Sequence, residues 1–168
     1  MGVRYSFSVS SVTPTATADT TNLVDSTYLG LIQGGNTTQR VNVAEIYMGG
    51  EAGSTSSPTI MVFARDSTVA TGAVTGGRVA LLDGSGTAPA TTPLVGNAAA
   101  TTKPQRSATL HLLHLSFNAY GGIVRWVARP GEEPSIVGNT ASLGEASLSA
   151  FTGGTTGAIS SHILYEVA

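Results

Sequence analysis

Alternation of polar and apolar residues at every second position is the feature that most restricts how this chain can fold. Near the N-terminus Val3, Tyr5, Phe7 and Val9 alternate with an arginine and serines. Successive side chains of a strand point to opposite faces, so these four share one face. No stretch of the chain has a convincing helical period. The pattern therefore predicts an all-β protein.

Similar strand patterns recur along the chain, separated by residues that favour turns. They lie at 28–32, 40–48, 59–65, 110–117, 123–128, 146–150 and 160–167, with a brief one at 135–137. The alternation slips between Val43 and Ile46, which predicts a β-bulge near Ala44 or Glu45. About eight antiparallel strands in 168 residues fit a jelly-roll β-sandwich with Greek-key connections better than a lipocalin-type barrel.

Residues 66–108 interrupt the strand pattern. They are rich in Gly, Ala, Thr and Pro, with one short apolar stretch at 79–82. A connection of this length inside a compact domain is usually functional or stabilised by a partner. We interpret residues 1–168 as a single jelly-roll domain, with 66–108 as a long excursion that crosses the surface or reaches a neighbouring subunit. A mobile loop is the alternative.

The chain has unusually few charged residues. They make up 11% of it, against about 25% in ordinary soluble domains. A free monomer normally uses mixed charges to stay dispersed, whereas the cores of protein interfaces are depleted of charge. The composition therefore favours a subunit of an assembly. The alternative is an exposed β-protein with a neutral, Thr-rich surface.

Several classes of partner and chemistry are disfavoured by the same composition. The net charge is −2 and no basic stripe occurs, so we predict no nucleic-acid partner. No segment is typical of a membrane span or a cleavable signal, so we predict no membrane association. The chain has no cysteine, which excludes thiol catalysis and cysteine-ligated metal centres.

The motifs for catalysis are equally weak. His111 and His114 lie three residues apart in a predicted strand, so we expect them to face opposite sides and not to share a metal. We expect His162 to be a hydrogen-bonded strand residue. The adjacent Glu132 and Glu133 indicate a solvated turn, and no phosphate-binding loop, dinucleotide fingerprint or nucleophile elbow occurs. We predict a non-enzymatic protein with no metal and no cofactor.

A resemblance to a known family lies mainly in the second half of the chain. The Gly121-Gly122 turn, the strand carrying Trp126 and the Arg129-Pro130 stop resemble a family of small tailed-bacteriophage virion proteins. The last strand, with a late Glu166, is also similar. The resemblance is carried by short motifs and touches most of the chain outside 66–108.

The resemblance implies a jelly roll similar to the tumour-necrosis-factor fold, often trimeric, that decorates a phage capsid. We therefore predict a capsid decoration or cement protein that stabilises the head shell. The expected partners are itself, as a homotrimer, and the major capsid protein. Its expected location is the capsid surface, after synthesis in the bacterial host cytoplasm. The alternatives are another virion component, such as a tail or fibre protein, or a carbohydrate-binding jelly-roll module.

Four residues are the predicted interface anchors: Tyr120, Arg125, Trp126 and Arg129. Aromatic and arginine side chains contribute most of the binding energy at protein interfaces. Trp126 could instead provide a stacking platform for a sugar. A strand tryptophan is more often part of a core or an interface, so we favour the interface.

Overall fold

The computed structural model describes residues 2–14, 21, 23, 28–51, 58–82, 84, 88–89, 91–138, 143–152 and 157–168. These residues form eleven β-strands: β1 Val3–Val12, β2 Tyr28–Gln33, β3 Arg40–Gly50, β4 Pro58–Thr68, β5 Arg78–Leu81, β6 Leu94–Gly96, β7 Gln105–Asn118, β8 Ile123–Val127, β9 Ser135–Val137, β10 Glu145–Thr152 and β11 Ile159–Val167. The prediction of an all-β protein is confirmed. The described part of the chain has no helix long and apolar enough to cross a membrane.

The strands form two antiparallel sheets. Sheet A has the order β5-β1-β11-β3-β8, with β9 also paired to β3, and sheet B has the order β6-β2-β10-β4-β7. Without the short strands β5, β6 and β9, the eight remaining strands, numbered along the chain, have the orders 1-8-3-6 and 2-7-4-5. This is the Greek-key connectivity of a jelly roll. The predicted jelly-roll sandwich is confirmed.

One hydrophobic core lies between the inner faces of the two sheets. Its fully buried members include Phe7, Met61, Phe63, Leu148 and Ile163, which come from both sheets. In β11 every second residue is buried and the others are partly exposed, as the period-two pattern predicts. In β4 both faces are buried, since Val62 and Ala64 join a separate cluster on the outer side.

The predicted bulge in β3 is present. Leu164 of β11 pairs with Glu45, and the next residue, Tyr165, pairs with Val43, so Ala44 is the extra residue. A bulge shifts the alternation by one position. As a result, Val43 and Ile46 both lie in the buried core, although their spacing would otherwise put them on opposite faces.

The excursion is shorter than predicted, because β4 extends to Thr68 and β7 begins at Gln105. Its outgoing and returning arms form antiparallel bridges, Thr71 with Thr102 and Thr75 with Ala98. Its two short strands pair with the chain's own sheets, β5 with β1 and β6 with β2. Between residues 69 and 104, the described part of the excursion therefore adds one strand to each sheet on the same side of the sandwich.

The opposite side of the sandwich is bounded by β7 of sheet B and β8 of sheet A. The turn at 119–122 connects these two strands. Neither has a further strand beside it among the described residues, so their outer backbone groups form no ladder. We call this side the β7–β8 edge.

Candidate functional site

A row of polar and aromatic side chains crosses the outer face of sheet A, with one residue from each strand. Strand register places Arg78 of β5 opposite Ser8, Ser8 opposite His162, His162 opposite Tyr47, and Tyr47 opposite Arg125 of β8. We call these five residues the polar row. In the three central strands each row residue lies one position from a buried core residue, so the alternation that buries one face displays the row on the other.

The middle and one end of the polar row are held by direct contacts. Ser8 Oγ lies 2.6 Å from His162 Nδ1, and the rings of His162 and Tyr47 meet edge to face at 6.0 Å between centroids. The Arg125 guanidinium lies 5.1 Å from the centre of the Tyr47 ring, within cation–π range. It also forms an ion pair with Glu45. These contacts fix the side chains before any ligand arrives.

Contacts among Glu45, Tyr47 and Arg125 shift the pKa values of all three side chains. The hydrogen bond from Arg125 lowers the pKa of Glu45, and the same contact raises the pKa of Arg125. The pKa of the Tyr47 hydroxyl is raised, chiefly by its hydrogen bond to Glu45. Glu45 therefore remains ionised and holds both Arg125 and Tyr47 in place.

A groove of about 620 Å³ runs along this part of sheet A. Its lining comprises Ser8, Val9, Ser10, Tyr47, Met48, Gly49, Gly77, Arg78, Asn97, Ile123, Ser160, Ser161 and His162. We call it the sheet A groove. Its described lining contains an arginine and a histidine but no carboxylate. Small-molecule sites commonly have a volume of a few hundred Å³ and a few convergent polar groups.

A second groove of about 360 Å³ lies towards the other end of the same face. Its lining includes three carboxylates, Glu45, Glu133 and Glu166, and one arginine, Arg4. Arg4 Nε donates to Glu166 at 3.2 Å. We call it the acidic groove. The two grooves on one sheet face thus have opposite charge character.

The contact between Ser8 and His162 has the residue types of a nucleophile and its base. Such a pair normally needs a third group that orients the histidine, as well as donors for an oxyanion. Among the described residues, no carboxylate forms a hydrogen bond to the His162 ring. The geometry is better suited to recognising a ligand than to attacking one.

A second polar cluster is buried beneath the start of the excursion. Asp66 and Glu145 lie on the neighbouring strands β4 and β10 and are both fully buried. The Ala70 N–H donates to both oxygens of Glu145, at 2.9 and 3.1 Å, and Ser147 Oγ donates to Asp66 Oδ1 at 2.6 Å. The carboxylate of Glu145 therefore anchors the first residues after β4.

Burial raises the pKa of Asp66 to about 9, with a further contribution from the neighbouring Glu145. Burial also raises the pKa of Glu145, to about 7, although its hydrogen bond with Asp66 acts in the opposite direction. Asp66 Oδ2 faces no donor among the described residues. A proton retained on Asp66 resolves this, because the protonated carboxyl can donate to Glu145. At neutral pH we therefore assign the neutral acid to Asp66.

The expectation that His111 and His114 face opposite sides is wrong. Their ring centroids are 5.8 Å apart, because Phe63 pairs with Leu113 and Ala64 with His111, so Leu112 is an extra residue in the strand. This bulge turns both histidines to the outer face of sheet B. His111 Nε2 lies 2.8 Å from Arg106 Nη1, and burial lowers the pKa of His111.

The four predicted interface residues lie on or beside the β7–β8 edge, but they do not form one cluster. Tyr120 is exposed in the turn, and Arg129 is exposed just after β8. Arg125 is on the outer face of β8 in the polar row. Trp126 points inwards, where it is half-buried against the core.

The β7–β8 edge is apolar along most of its length. Leu113, Leu115, Phe117, Val124 and Trp126 pack against the core and remain only half-buried. Exposed apolar side chains surround them, with Tyr120 at 53%, Ile123 at 74% and Val127 at 51% exposure. From Ser107 to Val124 the chain contains no Asp, Glu, Lys or Arg.

Sequence reasoning did not find the polar row or the buried carboxyl pair, because each brings together residues that are distant in the chain. The described residues contain no group of three or more side chains suited to hold a metal ion. Comparison of the sequence with known protein families and with curated proteins finds no match.

Proposed function

We propose that this chain is a structural virion protein of a tailed bacteriophage. In this proposal it is a non-enzymatic capsid decoration protein that assembles with itself, as a trimer, and binds the major capsid protein on the head surface. The observation that carries the proposal is the apolar β7–β8 edge, which has no Asp, Glu, Lys or Arg from Ser107 to Val124. The assignment to a phage rests on the resemblance described above.

An edge of this kind is unfavourable in a free monomer. β7 is a 14-residue edge strand, and natural proteins usually protect long edge strands with charges, prolines or covering segments. The stretch from Ser107 to Val124 has no ionic side chain and no proline. Half-buried core residues such as Phe117 and Trp126 would be fully covered if a second copy packed against this side.

The opposite side of the sandwich, where β5 and β6 lie, can be compared with the β7–β8 edge. There the excursion adds β5 to sheet A and β6 to sheet B, so that β1 and β2 are no longer edges. Among the residues that the structure describes, strands of the excursion thus lie along one side of the jelly roll and no strand lies along the other. A closed trimer joins two different patches of each subunit, and in this proposal β7 and β8, which lie together on that other side, provide them.

The low charge also supports a role within a shell. A decoration protein gains strength from many copies that bind together, so each contact can be weak. Tyr120 and Arg129 are exposed at the β7–β8 edge and are available as anchors. Arg125 is held by Glu45, so it would meet a partner with little further loss of conformational freedom.

Size-exclusion chromatography with light scattering, at several concentrations, tests the assembly. We expect a stable trimer for the wild type and a smaller species for Val127→Lys. Val79→Lys is the matched control, because Val79 is 47% exposed on β5, at the covered side, against 51% for Val127. A wild-type monomer at every concentration would contradict the proposal. Equal dissociation of the two variants would contradict the assignment to the β7–β8 edge.

Trp126→Ala is a second test of the same edge. We expect weaker self-association and weaker co-sedimentation with purified empty heads. Because Trp126 also packs against the core, the assay requires a temperature at which the variant is folded. Tyr120→Ala removes an exposed side chain and avoids this complication. If both variants assembled and bound heads as well as the wild type, these two residues would not belong to the interface.

The alternatives can be separated by the particle that the protein binds. Co-sedimentation with purified tails, and not with heads, would favour a tail or fibre component. A carbohydrate-binding role centred on Trp126 is less well supported, since its ring lies half-buried against the core and is not fully available for stacking. The sheet A groove offers a better place for such a ligand.

A further inference from the structure

We propose that the sheet A groove binds an acidic oligosaccharide, with the Arg78 guanidinium as the partner of its carboxylate or other anionic group. The proposal is independent of the proposed assembly, because Arg78 lies on β5 at the side away from the β7–β8 edge.

The shape of the groove suits an extended chain of sugars. The polar row crosses five strands, and neighbouring strands lie about 4.8 Å apart, so the row is about 19 Å long. Tyr47 lies between the His162 ring and the Arg125 guanidinium. Its position is therefore fixed, and the wall that it forms is prepared for a ligand at low entropic cost.

The charge of the groove favours an anion over a neutral ligand. Arg78 is exposed, and the described residues that line the groove include no carboxylate. Glu51, near Ser160, already accepts hydrogen bonds from the Ser11 amide and the Ser160 hydroxyl. In the acidic groove, three glutamates would instead repel a negatively charged sugar. An arginine can hold a carboxylate by two parallel hydrogen bonds.

The remaining polar groups suit hydroxyls, which both donate and accept hydrogen bonds. His162 uses Nδ1 for Ser8, and its Nε2 has no hydrogen-bond partner among the described residues. Depending on the tautomer, this nitrogen donates or accepts, and a sugar hydroxyl can match either state. The Asn97 side chain is only 7% exposed and lines the groove with no side-chain hydrogen bond to the described residues. Its amide is therefore open to a hydroxyl of a ligand in the groove.

A shallow site of this kind would bind each ligand weakly. Joint action of many such sites rests on the proposed function: on a particle that carries many copies of the protein, the sites would act together on a surface coated with acidic polysaccharide. The groups in the groove require a ligand with an anionic group for Arg78 and with hydroxyls for His162 and Asn97.

The test is calorimetric titration of the full chain with oligogalacturonate and with its methyl ester, which differ only in the charge of the carboxyl groups. A panel of sialylated, sulfated and phosphorylated oligosaccharides covers other anionic sugars. We expect the acid to bind and the ester to bind at least about tenfold more weakly, the loss typical of one charge-assisted hydrogen bond. We expect added salt to weaken the binding.

The variants locate the site. Arg78→Ala should weaken binding of the acid about tenfold and leave binding of the ester unchanged. Arg4→Ala is the matched control, because it removes an arginine from the acidic groove of the same face. It should bind as the wild type does. His162→Ala should weaken binding of the acid and the ester alike.

Three results would overturn the proposal: no binding of any acidic oligosaccharide at millimolar concentration, equal binding of acid and ester, or an equal loss in Arg4→Ala and Arg78→Ala. Light scattering on the same samples shows whether the protein still forms trimers. It therefore separates failure of the sugar-binding proposal from failure of the proposed assembly. Loss of trimers with retained sugar binding would contradict the assembly alone.

Discussion

The stability of this protein should fall as the pH rises, because of the buried Asp66 and Glu145. The folded-state pKa values, about 9 for Asp66 and about 7 for Glu145, lie far above those of unfolded carboxyls. The folded state therefore keeps protons that the unfolded state has lost. Stability from these groups is fully present below about pH 4 and is lost as the pH rises through the folded-state values.

The magnitude follows from the number of protons retained. Each proton held only by the folded state lowers the free energy of unfolding by about 1.4 kcal/mol per pH unit. Asp66 retains one proton through most of the range from pH 6 to pH 9, which gives a loss on the order of 4 kcal/mol. This is a large part of the 5–15 kcal/mol that typically stabilises a domain.

Urea unfolding at fixed ionic strength between pH 6 and pH 9 measures this loss. In Asp66→Asn the amide can still donate to Glu145 and accept from Ser147, but it does not titrate. We expect the variant to have a nearly flat pH profile and to be more stable than the wild type at pH 9. His111 is unchanged in both proteins, so its titration cancels in the comparison.

Glu132→Gln is the control for a general effect of charge, because it removes a carboxylate from an exposed turn. It should keep the wild-type slope. If Asp66→Asn and the wild type lost stability in parallel from pH 6 to pH 9, Asp66 would not hold the proton. The argument for the buried acid pair would then be refuted.

Two further predictions concern packing and use the same urea unfolding. Gly77 has a φ of +66°, and a Cβ added to it would collide with the Phe7 ring. Gly77→Ala should therefore lower the free energy of unfolding by about 1–3 kcal/mol. Gly84→Ala, where an added Cβ meets nothing within 4 Å, should have little effect, and equal losses would contradict the close approach to Phe7. Leu148→Ala should lower the free energy of unfolding by about 2–5 kcal/mol, because this side chain is fully buried. The exposed Leu82→Ala should cost little, and similar costs for the two leucines would contradict the assigned core.

The long strands could be predicted because their local pattern and their burial agree. β1 and β11 alternate over their length, and the phase slip in β3 is visible before any partner strand is known. The short strands β5 and β6 carry too few residues for a pattern. They form because β1 and β2 offer unpaired edges, and the sequence does not show which edges those are.

The histidine pair illustrates how one residue can reverse a local argument. Spacing by three puts two strand residues on opposite faces only if the strand is regular. Leu112 is inserted opposite β4, and this single extra residue moves His111 to the side of His114. The polar residues do slip in phase here, because His114 and Ser116 are two positions apart and His111 and His114 are three apart. The prediction of opposite faces treats this spacing as that of a regular strand and not as a bulge.

The sequence by itself determined that this chain forms a sandwich of antiparallel strands, because the period-two alternation of apolar residues leaves few other ways to bury them. It also determined the scarcity of charge around β7 and β8. Only the tertiary structure decided which polar residues meet. Ser8 and His162 are 154 positions apart. Asp66 lies in a strand that precedes the excursion in the sequence, and Glu145 lies in a strand that follows it. Such contacts depend on strand order and register, and these are set by the packing of the whole core.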